Sequence, residues 1–215
     1  MKLRTAEDVD DFLARDLIWR KKELTEFKFL LDGARSRLDR RDALIRAGVT
    51  LLYAHWEGYV RGAAKAYLEF LSYQRLRYDE LATNFLALAS RGIVRKVGAT
   101  EKIGPFMDVA RFFREGLAAQ STVPVRDGIS TRANLSSTVL QDILATLGLD
   151  ARPYATKANL IDEGLLGARN TIAHGDYLLV TADRWEELHR EILAMLESLH
   201  TAISNAVALK QFLAA

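Results

Sequence analysis

Apolar residues recur three and four positions apart along most of the chain, which is the spacing of one face of an α-helix. The pattern predicts a first helix that starts at Thr5, with Asp8 completing a capping box, and ends near Gly33. A second predicted helix runs from about Leu38 to Tyr73. Only three prolines interrupt the 215 residues, so the chain is predicted to be all-α.

The rest of the chain is divided into shorter helices and one long closing helix. The predicted shorter helices span 78–90, 101–116, 135–148 and 156–174. Glycines end the last two, Gly148 as the final residue of its span and Gly175 directly after the other. Residues 120–134 are polar and contain proline and glycine, which predicts a mid-chain loop. The closing helix starts in "TADRWEEL", where Asp183 and Glu186 have the spacing of a capping box.

Two glycines, Gly58 and Gly62, lie one turn apart inside the second predicted helix. Glycine costs about 1 kcal/mol relative to alanine in a helix interior. A pair of them therefore indicates that another segment comes close to this helix. The close neighbour is either another helix of the same chain or a second subunit.

Composition fits a single globular domain over residues 1–215, because 49% of the residues are apolar, 27% are charged and no internal repeat is present. No run of about 18 apolar residues occurs, and the N-terminus has no hydrophobic signal core. We therefore expect a cytoplasmic protein without membrane contact. The chain has no cysteine, which excludes disulfides, thiolate metal sites and cysteine nucleophiles.

Charge is distributed unevenly, although the net charge of +2 is too small to indicate nucleic-acid binding by itself. Between Arg35 and Arg46, five arginines stand against two aspartates, and between Arg75 and Arg114 eight basic residues stand against four acidic ones. From Lys157 onward, acidic residues outnumber basic ones by eight to five. A basic middle segment could face phosphates. Solvated helix faces are the simpler interpretation of each cluster.

The stretch "ARNTIAHGDY" ends an apolar helix with Arg169, Asn170 and His174. Asn170 and His174 are four residues apart and share a helix face, whereas Arg169 lies about 140° around the helix from His174. Within one chain the two side chains diverge, but two copies related by a two-fold axis could place them around one cleft. Arginine donors and a histidine that titrates near neutrality suit a phosphodiester. A helix-end histidine that interacts with the helix dipole is the ordinary alternative.

"RNTIAH" matches the Arg-x4-6-His motif of the HEPN superfamily. The segments "LLYAHWEGYVRGAAKAYLEFL" and "NLSSTVLQDILATLGLD" resemble a prokaryotic HEPN branch related to RiboL-PSP-type defence domains, and the resemblance extends from about Leu44 to the end. It implies an all-α HEPN-type helical bundle, here with additional helices and the mid-chain loop. In such a bundle, the helix ending at His174 would pack against the "HWEG" helix and the last helix.

The resemblance also implies a function and partners. Many HEPN proteins are metal-independent endoribonucleases that act as toxins or abortive-infection effectors and form homodimers across the motif. By this resemblance, the partners are RNA, a second copy of the chain and an antitoxin or other defence-system protein, with no cofactor and no metal. The alternatives are a non-catalytic HEPN module that binds RNA, nucleotide or a partner protein, and a helical scaffold in which the motif is incidental.

The same resemblance gives roles to the motif residues. His174 would be the general acid/base, Arg169 would stabilise the phosphate, and Asn170 would orient His174 or bind phosphate. A related toxin branch has a tyrosine two residues after the histidine, whereas Tyr177 comes three residues after His174, so its role does not carry over.

Two further polar residues lie in the "HWEG" segment. Glu57 shares a helix face with Tyr53 and Arg61, opposite the apolar stripe, and it would either reach a dimer cleft or pair with Arg61 in solvent. His55 falls on the apolar stripe, which predicts a hydrogen-bonded core histidine rather than a catalytic one.

Overall fold

The structure, a computed structural model, describes residues 2–34, 38–99, 101–131 and 134–214. These ranges contain eight α-helices and no β-strand. The helices are α1 (Ala6–Gly33), α2 (Leu38–Tyr73), α3 (Thr83–Val94), α4 (Ile103–Arg111), α5 (Ser137–Leu147), α6 (Arg152–Ala155), α7 (Ala168–Ala173) and α8 (Ala182–Ala208). The predicted all-α fold is therefore confirmed.

The core is formed by the three long helices α1, α2 and α8, which pack against one another. Each contributes a stripe of buried apolar side chains at helical spacing, and together with Trp56 and Trp185 these fill the interior. Among them are Val9, Leu13, Leu24, Leu52, Tyr59, Val60, Leu188, Ile192, Leu196 and Ile203. Full burial of one such side chain stabilises a fold by about 1.5–3 kcal/mol. The regular spacing of these residues explains why the sequence pattern located the three helices.

Helix starts are fixed by hydroxyl caps. The Thr5 hydroxyl accepts a hydrogen bond from the Asp8 backbone N–H at 3.1 Å, and the Asp8 carboxylate accepts one from Thr5 N–H at 2.9 Å, so the predicted capping box is confirmed. The predicted capping box of Asp183 and Glu186 is wrong. Thr181 stands in extended conformation before α8, and its hydroxyl accepts from Arg184 N–H at 3.2 Å, so it caps the helix instead.

The middle of the chain is more broken than its periodicity predicted. Within 78–90, Tyr78–Glu80 is a short 3-10 turn and α3 begins only at Thr83. Within 101–116, α4 gives way to a π-helical segment, Phe112–Gly116. Tyr78 and Phe112 pack edge to face, with ring centroids 4.9 Å apart, where these two irregular segments meet.

The helix predicted over 156–174 also changes its winding. A π-helical segment, Leu160–Gly167, leads directly into α7. α7 packs against α2 and the π-helical segment packs against α8, as predicted for the helix that ends at His174.

The mid-chain loop is irregular over its described residues, 120–131 and 134, as predicted. Its remaining residues, Arg132 and Ala133, lie outside the described residues. The same holds for Arg35 and Arg37 of the first basic cluster.

Gly58 and Gly62 face α1 of the same chain. A Cβ at Gly58 would lie 2.8 Å from Arg20 Nη1, and one at Gly62 would lie 3.6 Å from Asp16 Oδ2. Arg20 and Asp16 themselves form a largely buried ion pair with Nε and Oδ2 3.1 Å apart. The intramolecular explanation of these glycines is therefore confirmed, and they give no support to a subunit contact.

Side chains of α1 and α8 pack closely against α2 at Gly48, and this packing gives a prediction about the free energy of unfolding. A Cβ on Gly48 would collide with Trp185 Nε1 and lie 2.6 Å from Phe27 Cε1. Because extra volume in a packed core forces its neighbours to move, we expect Gly48→Ala to lower the free energy of unfolding by about 1–3 kcal/mol. Gly92→Ala is the matched control: it lies in α3 with no atom within 4 Å of an added Cβ. There, alanine should raise the free energy of unfolding by up to about 1 kcal/mol. Urea titration followed by circular dichroism measures both, and equal effects of the two changes would contradict the packing.

None of the helices in the described ranges combines the length and apolarity needed to cross a membrane.

Candidate active site

The motif lies on α7, whose end is fixed by Gly175. Gly175 has φ +88°, a left-handed conformation that favours glycine. Its N–H donates to Ile172 O at 3.1 Å, and Asp176 N–H donates to Thr171 O at 3.1 Å. These two bonds form a Schellman motif, which closes the helix. His174 is therefore the C-cap residue, directly after the last helical residue of α7, and it is exposed.

Arg169 is held in place by neighbours from two other segments. Its guanidinium carbon lies 3.9 Å from the centroid of the Tyr53 ring, and Nη2 donates to Asn134 Oδ1 at 3.0 Å. A cation over an aromatic face gains about 0.5–2 kcal/mol. Among the described residues, no carboxylate forms an ion pair with this guanidinium. Arg169 is thus oriented by uncharged groups, and its positive charge is not neutralised by a partner.

Tyr53 is the residue of α2 that contacts the end of the mid-chain loop. It is buried, and its hydroxyl accepts a hydrogen bond from Leu135 N–H at 2.8 Å. Burial raises the pKa of Tyr53, and the neighbouring Glu57 carboxylate raises it further, so the ring stays neutral under Arg169. Glu57 in turn accepts a hydrogen bond from the Thr131 hydroxyl at 2.7 Å. One connected set of contacts therefore links α2, the loop and α7.

His174 is exposed, and its imidazole makes no hydrogen bond to the residues that the structure describes. Its backbone N–H donates to Asn170 O at 3.0 Å, as part of the helix end. Asn170 is half-buried one turn earlier. The imidazole is accessible to a substrate, whereas Arg169 turns toward α2, in agreement with the divergence expected from the helical spacing.

The other sequence candidates lie in different surroundings. The Glu57 carboxylate accepts a hydrogen bond from the Thr131 hydroxyl. The two predicted alternatives, a dimer cleft or a pair with Arg61 in solvent, did not include this contact. Tyr177 is 72% exposed, and its ring lies 5.2 Å from the guanidinium carbon of Arg46. This contact places a second arginine beside the segment that follows the motif.

His55 is a core residue, as predicted. Its Nε2 lies 2.8 Å from a Glu23 carboxylate oxygen, and its ring packs edge to face on Trp19 with centroids 5.2 Å apart. Burial is the main cause that lowers the pKa of His55. Because His55 follows Tyr53 by two residues, it lies about 200° around α2 and faces α1 instead of the motif.

Sequence analysis missed the supporting residues Asn134, Thr131 and Leu135, and it placed Tyr53 on the face opposite the apolar stripe. Tyr53 is in fact buried, because α7 and the loop cover that side of α2. The four-residue spacing of Tyr53 and Glu57 was a usable signal, since it puts both on one face.

Carboxylates near the motif have structural roles or point to solvent. Asp162 accepts hydrogen bonds from Ser137 N–H at 2.7 Å and from the Ser137 hydroxyl at 2.5 Å, which anchors the start of α5. Glu163 is exposed. Within the described ranges, no group of three or more His, Asp and Glu side chains is arranged to hold a metal ion.

Comparison with known protein families matches residues 9–212 to the family described as MAE_28990-like HEPN. No curated protein and no solved structure matches the chain significantly. The finer resemblance to the RiboL-PSP-related branch stays a prediction. Because the match covers nearly the whole chain and the fold is the expected helical bundle, this protein belongs to the HEPN superfamily.

Proposed function

We propose that this protein is a metal-independent endoribonuclease that acts as a toxin or abortive-infection effector, with Arg169 and His174 as its catalytic residues. The carrying observation is the arrangement of Arg169, whose guanidinium is fixed between Tyr53 and Asn134 without a carboxylate partner. A pre-oriented, unneutralised arginine is suited to bind a phosphate anion. Membership in the HEPN superfamily supports the same function, because RNA cleavage is common among its members.

The chemistry follows from the two side chains. The ribose 2′-oxygen attacks phosphorus while His174 removes its proton, and the bond from phosphorus to the 5′-oxygen breaks as that oxygen takes up a proton. The products are a 2′,3′-cyclic phosphate and a 5′-hydroxyl. Arg169 stabilises the extra negative charge on the phosphoryl oxygens in the transition state.

A homodimer completes the proposed site. Arg169 and His174 diverge on α7, so a second copy related by a two-fold axis brings two arginines and two histidines to one cleft. Exposed Tyr177 and Leu179, directly after the motif, provide apolar surface for such a contact. Arg46, beside Tyr177, adds positive charge for the RNA backbone.

Two oligonucleotides of identical base sequence test the proposed reaction. EDTA-treated protein should cleave an RNA strand and leave a 2′,3′-cyclic phosphate, because no step requires a metal. The same strand with deoxyribose at the cleaved position should stay intact, because it lacks the nucleophile. Gel electrophoresis and mass spectrometry of the products measure both results. Cleavage of the deoxy strand or dependence on added Mg²⁺ would contradict the mechanism, and RNA binding without cleavage would favour the non-catalytic module.

A further inference from the structure

The apolar side of α4 faces solvent. Ile103, Phe106, Met107 and Ala110 have the i, i+3, i+4, i+7 spacing that normally packs a helix onto a core, yet all four are exposed. Ile103 is 71% and Met107 is 53% exposed, and no residue of α4 is buried. An amphipathic helix that presents its apolar stripe outward indicates a contact surface.

An apolar groove is lined by α3 and by Phe113, which follows α4 in the chain. It has a volume of about 450 Å³ and lies between α3 and the Phe112–Gly116 segment. Leu86 and Val94 of α3 form one side and Phe113 forms the other. Val94 is 45% exposed, so the groove is open to a ligand. An open apolar groove is the kind of site that takes the apolar face of an amphipathic helix, a common mode of peptide recognition.

The rim of the groove is basic. Arg91 and Arg95 line it, and Lys96 and Arg114 directly follow Arg95 and Phe113 in the sequence. Arg95, Lys96 and Arg114 are exposed and form no ion pair within the described part of the chain, and Arg91 donates to the Asp127 backbone carbonyl at 2.6 Å. Glu115, which follows Arg114, is exposed and carries the opposite charge. The balance of charge favours an acidic ligand.

These features distinguish among possible occupants. A two-fold contact with a second copy would place this basic rim against itself, which is unfavourable. Among the residues that line the groove, Phe113 is the single aromatic one, so the lining offers little stacking surface to the bases of RNA. A bilayer surface would leave a concave groove unfilled. An amphipathic helix satisfies both the apolar groove and its basic rim.

We propose that the groove between α3 and Phe113, with the exposed stripe of α4, docks an amphipathic helix with acidic flanks from another protein. Apolar side chains of that helix enter the groove beside Val94 and Phe113. Its carboxylates pair with Arg95 and Arg114. The surface is separate from the residues assigned to RNA cleavage, so this inference does not depend on the proposed function.

A designed peptide tests the surface with the full chain. The probe is a fluorescein-labelled peptide with leucine at i, i+3, i+4 and i+7 and glutamate at its flanks, and the control peptide has the same composition in scrambled order. We expect the ordered peptide to bind and the scrambled one to bind at least about tenfold more weakly, because only the ordered peptide can present one apolar face. Fluorescence anisotropy measures both affinities.

Two variants locate the binding. Val94→Asp places a carboxylate in the groove and should weaken binding of the ordered peptide at least about tenfold. Ile18→Asp, on an exposed position of α1 that is 64% accessible, should leave the affinity unchanged. Arg95→Glu should weaken binding and reduce its dependence on salt. If Val94→Asp does not fold by circular dichroism, Phe113→Ser takes its place.

Several results would overturn the proposal. These are equal binding of the ordered and scrambled peptides, equal effects of Val94→Asp and Ile18→Asp, or failure of the ordered peptide to bind. Binding of a single-stranded RNA or of anionic phospholipid vesicles that Val94→Asp abolishes, without peptide binding, would assign the surface to another class of ligand.

Discussion

Replacing His174 with alanine is expected to lower the rate of RNA cleavage by about 10²–10⁴-fold, which is the usual contribution of a positioned acid/base. The imidazole is exposed at the end of α7 and makes no hydrogen bond to the described residues, so its loss leaves packing unchanged. The free energy of unfolding should therefore stay within about 0.5 kcal/mol of wild type. Single-turnover cleavage and urea titration measure the two quantities.

The matched control for this variant is His200→Ala. His200 lies on α8, where Nε2 is 3.2 Å from an Asp10 carboxylate oxygen, and no contact among the residues that the structure describes links it to the motif. Its replacement should leave cleavage unchanged. In cells, expression of the wild-type chain should slow growth, and His174→Ala should relieve the inhibition. Full activity of His174→Ala would refute the proposed role, and equal losses in both histidine variants would point to a folding defect.

Replacing Arg169 with alanine should lower cleavage by about 10²–10³-fold, because a preorganised donor to the transition-state charge is removed. Arg169→Lys should recover only part of the activity, since an ammonium lacks the planar fork that stacks on Tyr53 and donates to Asn134. Arg61→Ala, on an exposed position of α2, removes the same charge and should cleave normally. Measured kcat and KM separate the loss of catalysis from a loss of RNA affinity.

Mixing the Arg169→Ala and His174→Ala proteins tests whether two copies share one cleft. In heterodimers, the cleft keeps one arginine and one histidine, so the mixture should be more active than either variant alone. No recovery after subunit exchange would contradict the shared cleft. Normal cleavage by Arg169→Ala would contradict the role of the guanidinium itself.

The sequence predicted the long helices well because their burial is periodic. α1 and α2 have the expected bounds, and Gly175 ends the motif helix as predicted. In each case a local signal, such as a cap, a stop or an apolar stripe, carries the information. The α8 cap was assigned to the wrong residues because Thr181 and Asp183 are both good capping residues.

The surroundings of Arg169 depend on contacts between distant segments, which periodicity does not encode. Asn134 belongs to an irregular loop and meets Arg169 across 35 residues of sequence. Tyr53 lies outside the main apolar stripe of α2 and is buried only because the loop and α7 cover it. The motif could therefore be found from sequence, whereas the groups that orient its arginine required the fold.

The π-helical segment Leu160–Gly167 controls which residue of the motif meets α2. Each residue of an α-helix turns the chain by about 100°, and π turns accommodate an additional residue without breaking the helix. If the same residues wound as an ordinary α-helix, the motif would turn by on the order of 100°, and Arg169 would no longer point toward Tyr53. The direction of the motif side chains on α7 is thus set upstream of the motif, so the winding of Leu160–Gly167 specifies the candidate site as much as the letters "RNTIAH" do.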